Sequence, residues 1–190
     1  MESGRLERQE LADAVIDAAI NVLQDILSYR PTSGQLQITP IQFTRDDITI
    51  VSRISGDVSA QLFLGLTPQS AVGIVSQMSR TAVGRLGQLE ISTLVELGSM
   101  ITDSALALLE DQGAICYSVW TGAVQGQDER ISPVSLPALA VPLRLITGDI
   151  NLNVILESQA PFGWASAAAR LRDSTMVTIP AIESSLSLAA

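Results

Sequence analysis

From Leu6 to Ser28 the apolar residues Val15, Ile16, Ala19, Ile20, Val22, Leu23, Ile26 and Leu27 recur at steps of three and four, which predicts an amphipathic helix with one face toward a core. Pro31 and Gly34 end it. Three runs rich in Ile and Val with partial alternation follow, Gln35 to Phe43, Asp47 to Ser55 and Val58 to Leu66, and they read as strands. Ser55-Gly56-Asp57 joins the last two as a tight hairpin, the glycine supplying a positive φ. Thr67 then stands as an N-cap before Pro68, whose missing amide hydrogen costs nothing in a first helical turn. The short helix it starts runs to Met78. A loop from Ser79 to Gly87, carrying Arg80 and Arg85, leads to a second long helix over Gln88 to Asp111, with Gly113 as its C-cap. Strands resume at Ile115 to Thr121, near Ile131 to Leu136, at Leu139 to Ile146 and at Ile150 to Leu156.

The segments Ile54 to Leu64 and Ile146 to Leu156 share their apolar positions and a Gly-Asp pair at a shift of 92 residues. Each follows a long helix. The chain therefore reads as two copies of a helix-then-hairpin unit: an α/β (α+β) fold of antiparallel sheets with two long helices, related by a pseudo-twofold axis across which the sheets pack or join. One domain is expected over residues 1–157. Past Glu157 the composition turns to Ala, Ser and Thr, which predicts a C-terminal tail over 158–190, partly disordered or packed on a partner.

Composition narrows the chemistry. Of 190 residues 47% are hydrophobic but only 4% aromatic, so Ala, Val, Ile and Leu must build the core, and stacking platforms for single-stranded nucleic acid are not expected. Histidine is absent and all 11 basic residues are arginine. Ser-His-Asp and Cys-His triads, Schiff-base and P-loop lysines and histidine metal clusters are thereby excluded. A net charge of -9 repels phosphate backbones, which argues against nucleic acid as a partner. Cys116, the single cysteine, lies in an apolar strand with no activating base and reads as a small buried hydrophobe. The charged N-terminus has no apolar core and is not a signal peptide, so a cytoplasmic address is expected. Val58 to Ser79 carries no charge, yet Gln61, Pro68, Gln69, Ser70, Ser76 and Gln77 break it too often for membrane insertion. A mean hydropathy of +0.34 leaves surplus apolar surface, read as a subunit interface.

The second long helix carries the candidate chemistry. Ile91, Leu94, Ile101, Ala105 and Leu108 make one face, and Ser92, Glu96, Ser99 and Asp103, at steps of four, three and four, make another. A carboxylate and a hydroxyl three residues apart reach one partner together, and a rigid helix holds them in place. The same spacing is also what a merely solvated helix face shows.

Ala18-Ala19-Ile20-Asn21-Val22-Leu23, Leu66-Thr67-Pro68-Gln69-Ser70-Ala71 and above all Leu94-Val95-Glu96-Leu97-Gly98-Ser99-Met100-Ile101, in this order of elements, resemble the CheX and CheC family over about Leu11 to Glu157. The resemblance implies a duplicated α/β fold, a homodimer as in CheX, and dephosphorylation of a phosphorylated response-regulator receiver domain of the CheY type. The family motif is Ser or Asp, three residues, Glu, two residues, Asn. Ser92 and Glu96 match it, and Ser99 stands in the place of the asparagine. In the family the glutamate anchors on the receiver's active-site lysine and the asparagine orients the attacking water. By that likeness Glu96 and Ser99 are the catalytic candidates, Ser92 and Asp103 contact the partner, and no metal or cofactor belongs to this chain, magnesium being carried by the receiver. Asn21 on the first helix lacks its glutamate, Ala18 standing there. Three readings stay open: an altered aspartyl-phosphate phosphatase, a non-catalytic binding or dimerisation module that keeps the docking contact, and a purely structural dimer.

Overall fold

The computed structural model describes residues 8–132 and 135–157. The first helix, α1, spans Arg8–Leu27 and buries Leu11, Val15, Ala18, Ala19 and Leu23, one face of the periodic run. Ser28, in the left-handed region at φ 60°, closes it by donating its amide hydrogen to the Gln24 carbonyl. Two short strands, β1 (Thr32–Ser33) and β2 (Gln37–Ile41), precede the longer β3 (Ile48–Gly56) and β4 (Ala60–Leu66). The helix α2 (Pro68–Ser79) starts as the sequence implies, Thr67 accepting from the Ser70 amide with Pro68 in the first turn. It ends at Arg80 in the left-handed conformation. Next come α3 (Gln88–Asp111), β5 (Cys116–Gln125), β6 (Leu136–Leu145) and β7 (Gly148–Leu156).

The strands form one antiparallel sheet in the order β1-β6-β7-β4-β3-β5, with β2 lying beside β1 on the same edge of β6. Its two halves join where β4 pairs with β7. In that ladder Leu62 faces Val154, two positions separated by the repeat shift, so the pseudo-twofold axis passes through this pair. The early strands are exchanged: β2, from the first half, pairs with β6, and β5, from the second, pairs with β3. The sheets therefore join into one rather than pack.

All three helices cover one face of the sheet, where α1 and α3 pack on each other. Alternate residues point toward them: Ile48, Ile50 and Ile54 from β3, Leu62, Leu64 and Leu66 from β4, Ile150, Leu152 and Val154 from β7. Each such side chain taken out of water contributes roughly 1.5–3 kcal/mol before entropy is subtracted. The other face carries a smaller cluster of Ile41, Val51, Phe63, Ile131, Ala138 and Ile155. β4 is consequently buried along its whole length.

Several local expectations change. The first Gly-Asp pair lies in a connection wider than two residues, and the second lies beyond its turn. β3 runs on to Gly56 and the last β3–β4 pair is Ile54 with Ala60, while the second hairpin turns at Ile146-Thr147, Leu145 pairing with Gly148. At the first site the start of β5 captures the chain: Asp57 donates its amide to the Ile115 carbonyl and accepts the Ile115 amide on its carboxylate. Gly56, at φ 137°, presses against that backbone where no side chain fits. Ile131 and Ser132 are not in a strand; among the described residues between β5 and β6 the pairing is an isolated bridge from Phe43 to Arg130. β6 begins three residues before Leu139 because β2 pairs with it there, Ile41 facing Leu136 and Pro40 facing Pro137, prolines that the short edge strand tolerates. Cys116 is half-buried rather than buried, its thiol 3.7 Å from the Val58 carbonyl. The expected tail over 158–190 lies outside the described residues.

α3 is long and apolar enough to cross a membrane by length and composition; in this fold it is a core helix, with Ile91, Leu94, Leu97, Ile101, Ala105 and Leu109 buried. It sits close over the sheet at Gly98, where a Cβ would lie 2.5 Å from Ile50 Cγ2 and 3.1 Å from Thr121 Cγ2. Gly98→Val is expected to destabilise the protein by about 1–3 kcal/mol, a drop of roughly 2–4 °C in the thermal midpoint for each kcal/mol. A midpoint equal to that of the wild type would show that the helix has room to move off the sheet.

Candidate functional site

Glu90 accepts the Gly87 amide at 2.8 Å and so fixes the first turn of α3. At the other end the Gly113 amide reaches the Glu110 carbonyl, with Gly113 at φ 87°. Between these ends, at about 100° per residue, positions 92, 96, 99 and 103 fall within a stripe about 60° wide. The structure turns that stripe away from the sheet: Glu96 and Asp103 are exposed, Ser92 and Ser99 half-buried. All four expected site residues thus share one outward face, opposite Leu94, Ile101 and Ala105. Leu108, placed on the apolar face, is only partly buried.

The polar groups differ in what is left to offer. Ser92 donates its hydroxyl to the Gln88 carbonyl at 3.0 Å, and Ser99 to the Val95 carbonyl at 3.2 Å. Both are i to i−4 bonds that turn a hydroxyl back onto its own helix. Glu96, by contrast, makes no hydrogen bond or ion pair among the described residues and presents a solvated carboxylate. Two side chains not singled out from the sequence border the stripe, Met100 at 40% exposure and Leu89 at 74%. Their positions, four after and seven before Glu96, were the available signal. An acidic stripe with apolar borders is suited to a protein surface, since the rim desolvates while the carboxylate finds its cation. Arg80 and Arg85 are exposed in the preceding loop. Asn21 is exposed on α1. Among the described residues no group of three or more Cys, Asp or Glu side chains gathers as a metal site.

A second constellation, on the face of the sheet away from the helices, has no counterpart in the sequence analysis. The β2–β3 loop folds Asp46 over Gly65, whose missing Cβ leaves the space the carboxylate occupies. Asn151 donates to Asp46 Oδ1 at 2.8 Å. Burial raises the Asp46 pKa above the usual carboxylate value, and the charge of Asp47 adds to the rise; the Asn151 bond and Arg45 oppose it. Beside Asp46 opens a cavity of roughly 240 Å³ reaching across β2, β6, β7 and β4.

No family model matches this chain, and no curated protein does. Solved structures do. A chemotaxis protein CheX from Desulfovibrio desulfuricans superposes with a TM-score of 0.70 at 24% identity, covering 78% of this chain and 99% of that one. A CheC-like superfamily protein from Shewanella sp. PV-4 gives 0.71 at 17% identity over 80% of this chain and 100% of the other. The CheX of a CheX–CheY–BeF3–Mg2+ complex from Borrelia burgdorferi gives 0.67 at 19% identity over 78% and 98%. The fold is that of the CheX and CheC-like proteins.

Asp46 supplies a pH test. Its folded-state pKa lies above the unfolded one, so the native state holds the proton more tightly and stability is lost as pH rises from the ordinary carboxylate value through the raised one. Asp46→Asn keeps an acceptor for Asn151 and is expected to unfold at higher urea than the wild type at about pH 7, the advantage vanishing at about pH 3. An advantage independent of pH would assign the effect to packing.

Proposed function

We propose that this chain is a CheX-like protein of bacterial chemotaxis or two-component signalling that docks on a phosphorylated, CheY-like receiver domain through the outward stripe of α3. The observation that carries the reading is Glu96, an exposed carboxylate with no partner among the described residues, held on the core helix of a CheX/CheC-like fold. The CheX–CheY complex of the same fold supports the choice of partner. In this reading Glu96 takes a cationic group of the receiver, Ser92 and Asp103 extend the polar contact, and Met100 and Leu89 close its border. With a net charge of -9, docking onto an acidic phosphorylation site gains nothing from long-range steering and rests on these local contacts. Magnesium belongs to the receiver, this chain brings no cofactor, and both partners meet in the cytoplasm.

Hydrolysis of an aspartyl phosphate needs a water held in line with the breaking bond between phosphorus and the acyl oxygen, and a planar amide that donates and accepts holds it well. Ser99 is a shorter side chain whose hydrogen is given to the Val95 carbonyl. We therefore favour a non-catalytic docking module. A weak phosphatase is the second reading, favoured by one observation: Ser99 Oγ keeps lone pairs that accept from a water.

The homodimer belongs to the same proposal. β5 is an edge strand, and Ile115 just before it and Tyr117 and Val119 along it are 77%, 59% and 47% exposed, an apolar edge suited to a second copy.

Three measurements test this. Glu96→Ala should weaken binding to a phosphorylated receiver domain by about tenfold to a hundredfold, the loss of a charge-assisted contact, read by titration calorimetry. Ser99→Asn should raise the rate of phosphate release from that receiver on the order of tenfold; tight binding with no acceleration would dispose of the water-positioning account. Val119→Lys should convert a dimer to a monomer in light scattering without loss of helical circular dichroism, and a dimer that persists would move the interface elsewhere.

A further inference from the structure

We propose that the cavity on the helix-free face of the sheet binds a small compound carrying an alkylammonium group. At roughly 240 Å³ it falls below the range of about 300–1,000 Å³ usual for drug-sized ligands, so its occupant is small. Its polar side is unfinished. Thr49, 3% exposed, points to the same face as Gly65 and lines the cavity, and its hydroxyl has no hydrogen-bond partner. A buried polar group left in that state is costly and signals a missing partner.

Asp46 stands beside it. One carboxylate oxygen accepts from Asn151, the other lies over Gly65, and the neighbouring Arg45 directs its guanidinium to the Pro40 carbonyl at 3.1 Å instead of pairing with it. Gln37 and Asn153 line the same wall, and Asn153 gives its amide nitrogen to the Asn151 carbonyl. An ammonium has three donors and no acceptor, which matches the carboxylate, hydroxyl and side-chain amides carried by the residues of this one cavity. The remaining wall, Ile41, Phe63 and Ile131, is apolar and suits an alkyl stem. A carboxylate ligand would meet Asp46, and a plain alcohol would leave its charge uncompensated. The site lies on the face opposite α3 and does not depend on receiver docking.

The test is a titration of the full chain with n-butylamine, n-butanol and butyrate, followed by two-dimensional amide NMR. Butylamine alone should shift the amides of Asp46, Thr49 and Asn151 in a saturable way. Asp46→Asn should cut that affinity about tenfold or more, and Thr49→Val, which removes the orphaned hydroxyl at nearly constant shape, should cut it about threefold while leaving the thermal midpoint equal or higher. Equal shifts from butanol, or butylamine binding undiminished in Asp46→Asn, would overturn the ammonium assignment. Silence of these amides toward all three compounds would overturn the site.

Discussion

Every other feature of this protein rests on the pairing of β4 with β7. That ladder, from Ala60 opposite Leu156 to Leu66 opposite Ile150, turns two hairpins into one sheet and gives α1 and α3 a common floor. Leu62 and Val154 sit together at its pseudo-symmetric centre, both turned toward the helices. Glu157 locks the open face of the same region, accepting Arg53 and Gln61 at 2.8 Å each, while its amide bonds to the Ser59 carbonyl. With Arg53 and Glu157 only 24% and 12% exposed, this contact lies in a less screened setting than a surface ion pair.

The demands of the fold and of the candidate site meet on α3 within three residues. Gly98 is small because the helix must sit close over Ile50, Ser52 and Thr121, whose two hydroxyls share a hydrogen bond of 3.1 Å. Glu96 and Ser99 flank it on the far side. The close seat at Gly98 fixes both the depth and the rotation of the helix, so the outward carboxylate is held by contacts made on the opposite face.

What sequence reasoning could see followed from locality. The helices were legible because a 3.6-residue period needs only neighbours, and Thr67-Pro68 marked a helix start by its own chemistry. The polar stripe of Ser92, Glu96, Ser99 and Asp103 was legible for the same reason. The hairpin turns were not, because the strand end at Gly56 is set by Ile115, a residue distant in sequence. Nor was the cavity: Asp46, Gly65 and Asn151 are brought together only by the assembled sheet and the loop folded over it. The exchange of early strands likewise left no local trace.

That exchange sets the timetable of synthesis. β2 finds its partner in β6, about a hundred residues downstream. At translation speeds of roughly 5–20 residues per second, the nascent first half waits about 5–20 s before its edge is covered. Ile41, Ile48 and Ile50 are on the ribosome before the later helix and strands that shield them, which leaves apolar surface open on the nascent chain until the second half arrives.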